Sequence, residues 1–345
     1  MNELIISFPH LGEYYIPIEY LLKKLINIKI MPAPFITKRT INLGEKYSPD
    51  FVCIPFKYNL GNYIEALEKG ANILIQASGG CRYGYYAEVQ EQILKDLGYK
   101  FTFFNIMEKG HFSIISLYKI FKKLNKKLKF YKFLYYSLIT LLMINYLDKI
   151  DHYIRLNIGF ETIENSFDNL KKKMVNDFIH TKSFYQLTKS YFKYKKLFHQ
   201  IPIKDKTNCM KVGIIGELYT SMEPFASYFL EKELAKMNIE ITRFTNITYL
   251  LITKALKRKK ILKFSKKYLR YTIGADGADN VARAKYLANH GYDGLIHIKP
   301  FGCTPEITAI PIIQKVCEDM NIPIIYFSFD ASTYEGGIKT RLEAF

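Results

Sequence analysis

Cysteine is scarce in this chain. Five residues in 345 (Cys53, Cys81, Cys209, Cys303 and Cys317) are too few, and odd in number, for a disulfide scaffold. A long apolar run is also missing. The longest uncharged stretch, Phe133 to Leu147, is interrupted by Ser137, Thr140 and Asn145. It falls short of the ~20 residues needed to cross a bilayer, so a buried or partner-binding helix is expected there. Met1 to Leu4 carry neither the basic region nor the cleavage site of a signal peptide. The expectation is a cytoplasmic, reducing location with free thiols and no membrane partner.

Other absences narrow the chemistry. There is no phosphate-binding Gly-x-x-x-x-Gly-Lys-Ser/Thr loop, so ATP hydrolysis by this chain is not indicated. No Gly-x-Ser-x-Gly elbow occurs, and the seven histidines form no zinc-protease pair. Gly213-Ile214-Ile215-Gly216-Glu217 lacks the third glycine of a dinucleotide fingerprint and reads as a tight turn, with Glu217 a candidate to face a cleft. The loop Gly274 to Asn280 has carboxylates only at Asp276 and Asp279, too few for a calcium loop. His297, inside an apolar strand, reads as a satisfied core histidine.

What is present is a globular composition, 49% apolar and 24% charged, long enough for about two domains of roughly 100 to 200 residues each. The formal charge is +18. Such an excess ordinarily points to nucleic acid, but no zinc-finger, RNP or helix-turn-helix pattern accompanies it. The basic residues concentrate in Lys119 to Lys132 and Lys254 to Arg270, which suits an electrostatic docking face for an acidic protein partner better.

Two stretches repeat one plan. In the first, Asn62 to Gly70 reads as a helix, Ala71 to Ala77 as a buried strand, Gly79-Gly80-Cys81 as a turn and Tyr86 to Leu97 as a helix ended by Gly98. In the second, Asn280 to Gly291 is the helix, Gly294 to Ile298 the strand, Phe301-Gly302-Cys303 the turn and Glu306 to Met320 the helix ended by Asn321-Ile322-Pro323. Ligands of open α/β sheets sit beyond the carboxyl ends of strands, and helix N-termini favour thiolates. Asp50 to Cys53 reads as a further short strand, with a helix starting near Gly61, so Cys53, Cys81 and Cys303 are all placed at strand ends. Cys209 precedes a strand and Cys317 lies on the apolar side of a helix; both read as ordinary thiols.

Strands alternating with helices predict an α/β chain of two Rossmann-like, doubly wound parallel-sheet domains with a helical insert. The boundaries read as 1–110, 111–206 and 207–345. Three lone cysteines leave two metal options. Structural zinc sites usually need four ligands and often use close cysteine pairs, whereas an iron-sulfur cluster tolerates wide spacing and an open iron.

The motifs resemble a known family. Cys53-Ile54-Pro55-Phe56-Lys57 with Gly61, then Gly79-Gly80-Cys81-Arg82-Tyr83-Gly84-Tyr85-Tyr86 with Glu88 and Gln90, is similar to the N-terminal half of the 2-hydroxyacyl-CoA dehydratase subunit and CoA-protein-activase-related superfamily. So are Gly216-Glu217, Pro300-Phe301-Gly302-Cys303-Thr304-Pro305-Glu306, Asp330 and Thr340 to Phe345. The motifs span residues 39–100 and 211–345, and the middle third carries none. Gly80 departs from the proline many relatives place before the cysteine.

The resemblance implies a [4Fe-4S] cluster, or the double-cubane variant of a related branch, held in this chain by Cys53, Cys81 and Cys303. It implies an oxygen-sensitive protein of anaerobic metabolism that receives low-potential electrons from a separate ATP-dependent activator. An acyl-CoA or other small-molecule substrate and a homo- or heterodimer fit the same resemblance. The alternative from another class is a non-redox scaffold or zinc-binding assembly partner of such a complex.

Overall fold

The computed structural model describes residues 3–77, 79, 81–108 and 111–345. The expected turn at Gly80 therefore lies outside the described residues. The chain divides into two compact units, Met1–Thr140 and Leu141–Phe345.

The first unit begins β1 (Ile5–Ser7), α1 (Tyr15–Leu25), β2 (Lys29–Ile30), α2 (Lys38–Tyr47), α3 (Ile54–Glu68), β3 (Ile73–Gln76) and α4 (Tyr86–Asp96). It continues with β4 (Thr102–Asn105), a two-residue hairpin of β5 (Met107–Glu108) and β6 (His111–Phe112), α5 (Ile114–Leu124) and the start of α6 (Phe130–Asn157). Its four-stranded sheet runs β2-β1-β3-β4, all parallel. β3 is buried at every residue, as a strand covered on both faces must be. One core packs Ile6, Ile73 and Ile75 against Leu22, Leu25 and Phe133; the other packs Leu74 against Phe56, Leu60, Ile64 and Leu94.

Two local expectations need correcting here. Asp50 to Cys53 form no strand: Phe51 takes a left-handed φ of 61°, and Cys53, although extended, is already the N-cap of α3. Pro55 sits in the first turn of α3, where its missing N–H has no partner to lose, so the helix begins at Ile54 and not near Gly61. The fourth strand is instead β4, whose Thr102-Phe103-Phe104-Asn105 pairs with β3 along its whole length. α2 runs from Lys38 to Tyr47 behind a capping box made by Thr37 and Thr40.

The second unit holds the rest of α6, then α7 (Ser166–Ile179), α8 (Phe184–His199), β7 (Lys211–Gly216), α9 (Leu218–Met222), α10 (Leu230–Lys236) and β8 (Glu240–Arg243). After these come α11 (Lys254–Ile261), α12 (Gly277–Ala288), β9 (Gly294–Pro300), α13 (Thr304–Met320), β10 (Ile324–Phe329) and α14 (Glu335–Ala344). The parallel sheet runs β10-β9-β7-β8. Taken in chain order, both sheets have the arrangement second-first-third-fourth. The direction of winding thus reverses between β1 and β3 in one unit and between β7 and β9 in the other, which is where such sheets bind ligands. The fold is two Rossmann-like parallel-sheet units.

Along the chain, α5 to α8 come after the strands of the first sheet and before those of the second. The Phe133 to Leu147 run lies in α6, with Phe133, Ile139, Met143 and Leu147 buried. No described helix is long and apolar enough to cross a membrane.

Candidate functional site

In the first unit, Cys53 and Cys81 are both felt by one phenol. The Cys53 sulfur lies 2.8 Å from Tyr86 Oη at the N-terminus of α3. Burial raises the Tyr86 hydroxyl well above its usual range; the Cys53 thiolate adds to this by charge and hydrogen bond, and the Cys81 charge adds further. Tyr86 therefore stays protonated, and its hydroxyl shares with the sulfur a hydrogen bond in which either atom can be the donor. Its ring is held by the edge of Phe56, 4.8 Å between centroids, and the buried Gln90 Nε2 donates to the Phe56 carbonyl at 3.0 Å. Motif residues Phe56, Tyr86 and Gln90 thus form a bracket behind the half-buried Cys53, with Cys81 exposed to solvent.

In the second unit, Cys303 is the N-cap of α13, half-buried, with Pro305 in the first turn. A buried network fixes this helix end. Glu306 Oε2 lies 2.8 Å from His297 Nε2 on β9, and Glu306 Oε1 accepts from Asn280 Nδ2 at 2.9 Å. Asn280 Nδ2 also donates to the carbonyl of Gly216 at the end of β7, at 3.0 Å. α13 is thereby pinned to both strands of the switch point. His297 is a core histidine, fully buried, with Glu306 as its partner.

Two more charged groups belong to this corner. Lys299 is 5% exposed, and burial lowers its ammonium from the usual range, with the Cys303 and Glu306 charges opposing the drop. Glu217 is the N-cap of α9, its carboxylate accepting from the amides of Tyr219 and Thr220 and from Thr220 Oγ1. Part of the residue reaches solvent, but its carboxyl is out of water. Burial pushes the group up to about 7, with the Glu306 charge adding to the rise and the three hydrogen bonds opposing it.

Both units use an asparagine at the same place. Asn62 on α3 accepts from the His10 amide just past β1 and donates to the Pro34 carbonyl, whereas Asn280 on α12 donates to both Gly216 and Glu306. Sequence reading placed both residues at the head of the repeated helix without seeing their role. The signal was the alignment of two asparagines in the repeat.

A second network was also missed. Asp276 pairs with Lys254 at 2.5 Å, and the fully buried Asp279 accepts from Tyr249 Oη at 2.5 Å and from Arg258 at 3.3 Å. Those carboxylates tie the basic segment before β9 to α12. Cys317 is buried beside Ile313 and Val316 in a core cluster, and Cys209 is half-buried ahead of β7. Among the described residues, no three Cys, His, Asp or Glu side chains form a group that could hold a metal ion.

Residues 252–345 match the family model of the 2-hydroxyglutaryl-CoA dehydratase D-component. Over that stretch the chain is 2-hydroxyacyl-CoA dehydratase-like. The match runs from α11 to α14 and takes in Asn280, His297, Lys299, Cys303 and Glu306, which are the groups around Cys303 apart from Gly216 and Glu217. It supports a dehydratase-component role for the chain. No curated protein matches the sequence.

Proposed function

We propose that this chain is the iron-sulfur component of a 2-hydroxyacyl-CoA dehydratase-type system, with Cys53, Cys81 and Cys303 as cluster ligands. The observation that carries the reading is the setting of Cys303: a half-buried thiol at the N-terminus of α13, at the sheet switch point, inside the segment matched by the dehydratase family. The donor chemistry fits an anionic cluster. All three thiols are outside disulfides, Cys53 and Cys303 cap helix N-termini whose dipoles favour thiolate, and Lys299 brings positive charge to Cys303. The Tyr86 hydroxyl orients the Cys53 sulfur by hydrogen bond, as outer partners of metal ligands do.

A [4Fe-4S] cluster, or its double-cubane variant, would supply low-potential one-electron chemistry, fed by a separate ATP-dependent activator and used to dehydrate or reduce an acyl-CoA or related substrate. Glu217 would hold a proton at its carboxyl near neutral pH, at the carboxyl end of β7 where a substrate would lie. Such a component acts in a homo- or heterodimer in an anaerobic cytoplasm.

Anaerobic purification tests the reading. A brown protein with stoichiometric iron and sulfide is expected. Cys53→Ala, Cys81→Ala and Cys303→Ala should each lose most of the iron, whereas Cys209→Ala and Cys317→Ala keep it. A colourless protein, zinc-bound or metal-free, would refute the proposal, and full iron in any of the first three variants would remove that cysteine from the ligand set.

A further inference from the structure

The α5–α6 region of the first unit carries an uncompensated charge. Seven lysines fall between Lys119 and Lys132, and no Asp or Glu occurs anywhere from residue 109 to 147. Lys122 donates to the Leu128 carbonyl and Lys129 lies over the Tyr131 ring. Among the described residues none of the seven pairs with a carboxylate.

Directly after these lysines in the chain, α6 exposes an apolar face. Phe130, Tyr131, Leu134, Tyr135 and Leu138 recur at the i, i+1, i+4, i+5 and i+8 spacing of one helix side, and all are exposed, Tyr131 at 68% and Leu138 at 46%. The opposite side of the helix carries Phe133 and Tyr136 into the core. Phe130 to Leu138 rises about 12 Å. α5 continues the patch, since Tyr118 meets the Phe130 ring at 5.1 Å and Ile114 and Ile115 are exposed at its start.

Four occupants compete for such a face, and the side chains choose among them. A second copy would set seven lysines against seven. A nucleic acid would satisfy the lysines but leave Leu134 and Leu138 without use, because bases stack on aromatic rings and not on aliphatic chains. Protein interfaces are depleted in lysine at their cores. An anionic bilayer meets every term: lysines at the headgroups, tyrosines at the interfacial level, and Phe130, Leu134 and Leu138 at the acyl boundary. We propose that this face docks the protein in-plane on an anionic lipid surface, a property independent of the cluster reading.

Co-sedimentation of the full chain with vesicles tests this. Vesicles of phosphatidylcholine and phosphatidylglycerol in a two-to-one ratio should bind it, pure phosphatidylcholine should not, and raised salt should weaken the binding. Each lysine near the surface contributes about fivefold in partitioning. The combined Lys126→Gln, Lys127→Gln, Lys129→Gln and Lys132→Gln variant should therefore lose about two orders of magnitude or more. Leu134→Ser with Leu138→Ser should abolish whatever binding survives high salt. These side chains are exposed, so an unchanged thermal melt is expected of both variants; the lipid-composition and salt comparisons need no variant at all. Equal binding to both vesicle types, no binding to the anionic ones, or undiminished binding by the glutamine variant overturns the proposal. So does retention of a short RNA or an acidic protein at the same salt while vesicles are ignored.

Discussion

Replacing Gly61 by alanine should destabilise the first unit even though alanine is the better helix former. Gly61 lies mid-helix on α3, and α2 crosses it at a contact with no room for a side chain. A Cβ at Gly61 would sit 1.9 Å from the Thr40 carbonyl oxygen and 2.8 Å from its carbon, and one at Gly44 would sit 1.8 Å from the Lys57 carbonyl oxygen. The obstacles are backbone atoms and cannot rotate away. For Gly61 the two helices must part by at least about 1.1 Å to restore a contact that real Cβ atoms tolerate. Helix propensity returns about 1 kcal/mol on Gly→Ala. Overpacking costs about 1–3 kcal/mol or more, and parting α2 from α3 also strains the buried Thr40 Oγ1–Glu65 hydrogen bond of 2.8 Å, a further 1 kcal/mol or so. A net loss of about 2 kcal/mol follows, read by urea unfolding monitored by circular dichroism. Gly337→Ala on α14 is the control, since a Cβ there meets nothing within 4 Å; it should gain about 0.5–1 kcal/mol. Opposite signs are required. If Gly61→Ala proves as stable as the parent, the close crossing of α2 and α3 is wrong.

The remaining expectations rest on the second unit and the thiols. Glu217 has its acidity moved from 4.5 to about 7 in the fold, so the folded state binds the proton more tightly than the unfolded one; stability from this group is full below about pH 4.5, falls as pH rises to about 7 by roughly 3 kcal/mol at most, and is level above that. Glu217→Gln should flatten that slope in a pH series of thermal melts, and an unchanged slope would count against the buried carboxyl. Glu306→Ala leaves His297 Nε2 inside the fold without its partner and Asn280 Nδ2 with the Gly216 carbonyl alone, and should cost about 1–3 kcal/mol, measured by denaturation; a cost under about 0.5 kcal/mol would mean the network is not what pins α13. Iodoacetamide should label Cys81 first and Cys317 last in the native, metal-free protein, because Cys81 is exposed whereas burial pushes the Cys317 thiol up to about 12; peptide mapping over time reads the order.

How much of this was legible in the chain depends on whether the information is local. Helix ends were readable where a residue type enforces them: Gly98 and Gly70 take positive φ after α4 and α3, and Asn321 does so after α13. The buried strands β3, β7 and β9 announced themselves as short apolar runs bounded by turns, and the repeated helix-strand-turn-helix order implied two parallel sheets before any pairing was known. Cys303 could be placed after a strand because the turn at Phe301-Gly302 follows β9 directly. Cys53 could not: a short apolar run before a proline looks alike whether it joins a sheet or feeds a helix, and only the competing β4 at the sheet edge decided it.

The partners of those residues belong to the tertiary structure alone. Nothing local says that Cys53 meets Tyr86, 33 positions on, or that Asn280 reaches back 64 residues to the Gly216 carbonyl. Glu306 could have been any acidic residue in the first turn of a helix until His297 was brought within 2.8 Å of it. A side chain's own chemistry and its neighbours along the chain determine helix, strand and turn. Which charge it faces, and how dry it is when facing it, follows from packing between segments far apart in sequence, and that packing is what moves Glu217 to about 7 and holds Cys303 at the end of a fixed helix.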